Sequence, residues 1–177
     1  MHSLHAILVY IPYVDISGSG LYEEEKIKDI RRYAESCTEE YYMQAFDWRT
    51  TDDAGRWATK YPNNVILCSS DREEFFKILE EIEECQKDVI KKSITLAIEE
   101  DRRVSTANIE EVLSIIDESW AAGFYLSEAL SLARGKYIFT SRFYNTKDDT
   151  SKITEELRQE ILKAPDDYAL VLMDYHM

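Results

Sequence analysis

Apolar residues gather along this chain into short continuous runs. The runs are separated by stretches in which apolar residues recur every three or four positions, the pattern of doubly buried strands alternating with amphipathic helices. Ala6 to Val14 (AILVYIPYV) reads as a central strand, and DISGSG (Asp15 to Gly20) supplies turn residues. Tyr22 to Ser36 then places Ile27, Ile30 and Ala34 at helical spacing among charges. Tyr41 to Trp48 (YYMQAFDW) is aromatic and strand-like, a short helix fits Asp53 to Lys60 before Pro62 and Asn63-Asn64, and Val65 to Cys68 makes a third strand.

Ser70 with Glu73 three residues on matches a capping box, so a helix opens there and carries Phe75, Leu79, Ile82, Gln86 and Val89. Ser93 to Ile98 reads as an extension of that helix, with a short strand as the alternative that its Ile and Thr content allows. Asn108 with Glu111 opens another helix through Ile109, Val112, Leu113 and Ile116, and a further one runs from Trp120 to Arg134 and closes at Gly135. Tyr137 to Phe143 alternates as a strand does. Asp149, Thr150 or Ser151 caps a helix containing Ile153, Leu157 and Ile161, which Pro165 ends. Tyr168 to His176 is a last strand buried on both faces.

Helices that alternate with continuous apolar strands imply crossover connections. The expectation is therefore one α/β domain over 1–177: a three-layer fold with a mostly parallel sheet of about five strands flanked by helices, Rossmann-like and flavodoxin-like strand orders both remaining open. The element order is similar to flavodoxin-like and response-regulator receiver layouts. A receiver, however, carries an acidic pair straight after its first strand, where this chain has Asp15-Ile16-Ser17. Leu132 to Phe139 (LARGKYIF) is similar to a helix-to-strand junction of nucleotide-sugar glycosyltransferases, but Thr140-Ser141-Arg142 stands where those continue into an Asp-x-Asp metal motif.

Composition narrows the function classes. The chain holds 35 acidic against 21 basic residues, a formal net charge of -14, while 45% of it is hydrophobic and only five Gly and three Pro interrupt it. An ordered, acidic protein follows, and direct nucleic-acid binding by phosphate neutralisation is not expected. Cys37, Cys68 and Cys85 have no CxxC spacing and read as reduced structural thiols. No run reaches the roughly 18 apolar residues of a membrane span, and Met1 to His5 lacks a basic region ahead of an apolar one, so a cytoplasmic location is expected.

Three constellations carry candidate chemistry. The loop Asp15 to Gly20 lies between a strand and a helix, where backbone N–H groups can hold an anion; it lacks both the dinucleotide fingerprint and the P-loop, and Glu23, Glu24 and Glu25 crowd the helix start. Asp174 and His176 share one face of the last strand. If that end neighbours the end of the first strand, Asp15, Ser17 or Ser19 could join them in a Ser-His-Asp arrangement, giving a small-ligand or phosphoester-type enzyme. His2 and His5 fall on opposite faces of a strand, no metal-ligand spacing occurs, and neither metal nor cofactor is expected.

The third constellation is surface charge. Asp71 to Asp101 holds eleven acids against five bases, including Glu80-Glu81 and Glu83-Glu84, and Glu110 to Glu128 adds five acids without a base. Such faces serve solubility, and they also dock basic partners. Trp57 with Arg56 beside it supplies residue types common at binding hot spots, whereas Trp120 and Phe124, four apart on one helix face, are expected in the core. The leading expectation is therefore binding of a basic protein partner, as a regulator, an immunity-type inhibitor or a nucleic-acid-mimicking antagonist. The enzyme is the alternative, and a receiver-like dimerisation scaffold, hence a homo-oligomer, is the third class.

Overall fold

A computed structural model describes residues 2–16, 23–45 and 48–176. Its strands are β1 (His2–Tyr10), β2 (Trp48–Thr50), β3 (Val65–Leu67), β4 (Phe143–Asn145) and β5 (Tyr168–His176). Its helices are α1 (Glu23–Ala45), α2 (Arg72–Glu100), α3 (Ile109–Glu118), α4 (Trp120–Arg134) and α5 (Glu155–Lys163).

β1 and β5, nine residues each, pair along their whole length from His2 opposite His176 to Tyr10 opposite Tyr168, and they run antiparallel. β4 adds to the far side of β1 in parallel. β2 and β3 both pair antiparallel with β5, β2 opposite 174–176 and β3 opposite 169–171, so they form one edge interrupted by an excursion over 51–64. The protein is thus mixed α/β with a five-stranded sheet in which, among the described residues, only the β1–β4 pairing is parallel. The mostly parallel order expected from the apolar runs is not found. Continuous apolar character reports burial on both faces, and β1 and β5 have that burial because they are central, whatever their direction.

Alternate residues of β1 and β5 feed two cores. Ala6, Leu8, Leu170 and Leu172 pack against Phe75, Ile78 and Leu79 of α2 and Leu157 and Ile161 of α5. Ile7, Val9, Val171 and Met173 pack on the other face against Ile30 and Ala34 of α1. Each of the larger side chains contributes roughly 1.5–3 kcal/mol through area removed from water, so β1 and β5 carry the register: a slip by one residue would exchange the two faces.

Several local boundaries differ from the sequence pattern. The expected strand from Tyr41 is the end of α1, and β2 begins only at Trp48. Asp53 to Lys60 holds a single 3-10 turn, Gly55–Trp57, and the Tyr137–Phe143 stretch holds another at Phe139–Ser141 before the short β4. β1 gives way after Tyr10 to a 3-10 turn that starts at Ile11, where Pro12 lacks the N–H that a strand would need. The first strand therefore spans 2–10 and not 6–14. Thr154, not 149–151, caps α5, its side chain accepting from the Leu157 N–H.

α2 spans 29 residues, about 43 Å at 1.5 Å per residue. Ser93 to Ile98 lies within it as helix. Its first half lies on the sheet; its second half, with Ser93 and Ala97 buried, leaves the sheet and packs on α3 and α4 around Ile115, Ala122 and Leu126. Asn108 and Glu111 make the reciprocal capping box that opens α3. The chain then turns through Ser119 directly into α4, which ends on Gly135 in the left-handed conformation (φ 79°). Gly123 lets the two helices touch, since a Cβ there would lie 2.4 Å from the Ile116 carbonyl oxygen. No described helix is long and apolar enough to cross a membrane.

Candidate functional site

The antiparallel register decides where the sequence-nominated residues lie. Asp174 and His176 stand at the end of β5 beside His2, while Asp15 follows the opposite end of β1, about 26 Å away at ~3.3 Å per residue from His2 to Tyr10. The register therefore separates Asp15 from the pair. Ser17 and Ser19, with the rest of the loop to Gly20, lie outside the described residues.

At the β5 end the Asp174 carboxylate is wholly buried. His2 Nδ1 lies 3.0 Å from Oδ1 and 3.2 Å from Oδ2, and the Arg56 backbone N–H donates to Oδ2 at 3.1 Å. A carboxylate only accepts, so Nδ1 carries the hydrogen and Nε2 is left as the ring's other polar atom. The excursion 51–64 closes over this pair at Gly55, whose φ of 54° suits glycine and whose Cβ, if present, would lie 2.4 Å from that of Asp174. The His176 ring stacks on Trp48 at 5.3 Å and meets the edge of His2 at 4.7 Å. The imidazole held by Asp174 is thus that of His2. Nothing in the sequence marks that pairing across 172 positions; it appears only once β1 and β5 are in register.

A pocket of about 210 Å³ opens beside the pair, between the sheet and α2, and reaches Lys60, Glu81, Cys85 and Arg142. Lys60 binds Glu81 at 3.2 Å and covers the Tyr61 ring. Arg142 is exposed, holds a left-handed backbone (φ 53°), and makes no ion pair among the described residues. Cys37, Cys68 and Cys85 are free thiols, and burial pushes that of Cys68 up. No group of three or more potential metal ligands occurs among the described residues.

On the opposite face of β1, His5 is fully buried and shares a 2.8 Å hydrogen bond with Tyr137 Oη. Its ring packs against Tyr137, Phe139 and Tyr175. Burial, and then the nearby Arg142 charge, lower its pKa to about 3, so the ring is neutral. His2 and His5 do lie on opposite faces.

Three of the four carboxylates at 80–84 on α2 are matched by bases. Glu81 pairs with Lys60, Glu83 with both Lys87 and Arg158 of α5, and Glu84 with Lys87; Glu80 alone of the four has no ion pair among the described residues. Its two bases hold the Glu83 carboxyl below its ordinary range. Trp57 is half-buried against the core beneath α2, and the Arg56 side chain is exposed.

Four of the seven large exposed apolar side chains among the described residues lie on α3 and α4, the others being Tyr13, Trp48 and Ile94. Trp120 is 87% and Phe124 58% exposed, the two rings stacked at 6.3 Å, and Ile109 and Leu113 of α3 are exposed as well. The core position expected for Trp120 and Phe124 is not found, because that side of α4 faces away from α2 while Ala122, Leu126 and Ala129 fill the interior. Residues 99–128 hold eight acids and two bases, and Arg103 is engaged by Asp101 and Glu118.

These features define a mixed α/β protein with a helical extension off one side of its sheet. Comparison with family models, with curated proteins and with solved structures finds no match.

Proposed function

We propose that the protein works by binding another protein, with the α3–α4 face as its docking surface and a cationic amphipathic helix or segment as the partner. The observation that supports this is the stacked, solvent-exposed pair Trp120 and Phe124. A tryptophan left in water forgoes the burial free energy of one of the largest apolar side chains, and such residues anchor interfaces. Exposed Glu110, Glu111 and Asp117 flank the apolar residues. Two copies meeting through this face would bring like charges together, whereas a basic partner would be steered toward it. The three free thiols fit a reducing compartment such as the cytoplasm.

The test uses a 20-residue Leu/Lys amphipathic helical peptide titrated into the full chain, followed by intrinsic tryptophan fluorescence and calorimetry. The double variant Trp120→Ser, Phe124→Ser is expected to weaken binding by tenfold or more, as loss of one hot-spot residue does at roughly 2 kcal/mol. Reversal of Glu80 and Glu84 to Lys should change it less than threefold. Equal affinity for the wild type and the aromatic double variant refutes the reading, as does a concentration-dependent dimer in sedimentation that the double variant abolishes.

A further inference from the structure

The pocket beside His2 has a construction that protein docking on α3–α4 does not use. Leu4, Ile78, Ile82 and Leu172 give it an apolar side, and its polar groups, among them His2, Lys60, Glu81 and Arg142, differ in state. Lys60 and Glu81 cancel each other. The Arg142 guanidinium is uncompensated among the described residues, and its backbone sits in a conformation that a non-glycine residue adopts at a cost of order 1–3 kcal/mol. The His2 ring is fixed in orientation by a carboxylate that the fold buries completely. Burying Asp174 is itself costly unless the group is well bonded, and the chain meets that cost with the Arg56 N–H and with a left-handed glycine that lets the 51–64 excursion lie directly on it. A sheet that needed only stability would have an apolar residue here, as β5 does at Leu170 and Leu172.

We propose that this pocket binds a small organic anion with an apolar body, its charged group on Arg142 and on the imidazolium form of His2, whose Nδ1–H stays with Asp174 and whose Nε2–H donates to the anion, and its body against Leu4, Ile78, Ile82 and Leu172. At about 210 Å³ the space is below the roughly 300–1,000 Å³ of sites for drug-sized molecules, so the ligand is of single-ring or short-chain size. Arg142 supplies a planar fork that suits a carboxylate or a phosphate monoester. Asp174 is a positioning residue: it does not reach the ligand but holds the imidazole that does.

The experiment records amide spectra of the full chain while phenyl phosphate, benzoate, inorganic phosphate and benzyl alcohol are titrated separately. The expected result is saturable shifts at 2–6, 57–61, 78–85 and 142 with phenyl phosphate or benzoate, the tighter of the two identifying the anionic group, and at least tenfold weaker binding of inorganic phosphate and of benzyl alcohol. Arg142→Gly removes the guanidinium while relieving the positive φ, so it keeps the fold, and it should weaken the aromatic anion tenfold or more. His2→Gln should do so as well. The proposal is overturned if neither aromatic anion gives saturable shifts in the pocket, if inorganic phosphate binds as tightly as both, or if Arg142→Gly binds as the wild type does. None of these readouts depends on Trp120 or Phe124, so the pocket and the docking face stand or fall separately.

Discussion

The buried imidazole of His5 should make the stability of this protein depend on pH in a way that one substitution removes. In the folded chain His5 has its pKa lowered from the ordinary 6.5 to about 3, chiefly by burial and further by Arg142. The unfolded chain therefore binds a proton that the folded chain does not, everywhere between those two values. Stability is complete above about pH 6.5 and is lost as the pH falls toward 3, at roughly 1.4 kcal/mol per pH unit, or about 5 kcal/mol over the whole interval. Domains of this size commonly have about 5–15 kcal/mol in all, so the roughly 3.5 kcal/mol lost by pH 4 is a large share of the total. The comparison is His5→Asn, which keeps a polar group facing Tyr137 and cannot titrate. Urea unfolding, read by far-ultraviolet circular dichroism at pH 7.5, 6, 5 and 4, should show the variant less stable by about 1–3 kcal/mol at pH 7.5, the cost of a disturbed buried hydrogen bond. The gap should narrow below pH 6.5 and reverse by about pH 4, since the carboxylates titrate alike in both proteins and cancel. Parallel stability curves over that range would refute the reasoning.

Gly55→Ala should destabilise by roughly 1–3 kcal/mol in the same urea assay, because φ is 54° and the new methyl would fall on the Asp174 side chain; an effect below about 0.5 kcal/mol would mean that the excursion does not close on Asp174. Asn108→Ala should cost about 1 kcal/mol by removing the capping box of α3, with faster amide exchange confined to 109–118. A long-range proton–nitrogen spectrum of the imidazoles should show a hydrogen on Nδ1 of His2, because Asp174 can only accept; a neutral ring protonated on Nε2 would contradict the pairing.

The parts of the fold that the sequence discloses are those fixed by neighbouring residues. Asn108 and Glu111 announce the start of α3, Gly135 the end of α4, and Tyr168 to His176 a doubly buried strand, because caps and burial are written within a few positions. Strand direction is not written there. Val171 is equally apolar whether its neighbour Ile7 runs with it or against it, so the antiparallel β1–β5 pair is invisible to hydrophobic pattern. Helix length failed at Tyr41 for a related reason: aromatic residues favour strands on average, but once α1 is established each further turn adds a hydrogen bond with no new nucleation cost.

The same distinction governs the acidic surface. Counting carboxylates along α2 suggests a continuous negative face, yet the half that lies on the sheet has neighbours able to answer it: Lys60 reaches Glu81 from the 51–64 excursion, and Arg158 reaches Glu83 from α5. α3 has no such element across from it. It projects beyond the sheet, Arg103 beside it is held by Asp101 and Glu118 while exposed Arg102 makes no ion pair among the described residues, and Glu110, Glu111 and Asp117 face solvent around exposed Ile109 and Leu113. Carboxylates thus remain in excess where the fold supplies few cations, and that is also where it leaves Trp120 and Phe124 uncovered. A partner that brings cations and an apolar stripe together satisfies both deficits at once, which is why the docking surface is assigned to α3 and α4 in preference to the longer acidic run of α2.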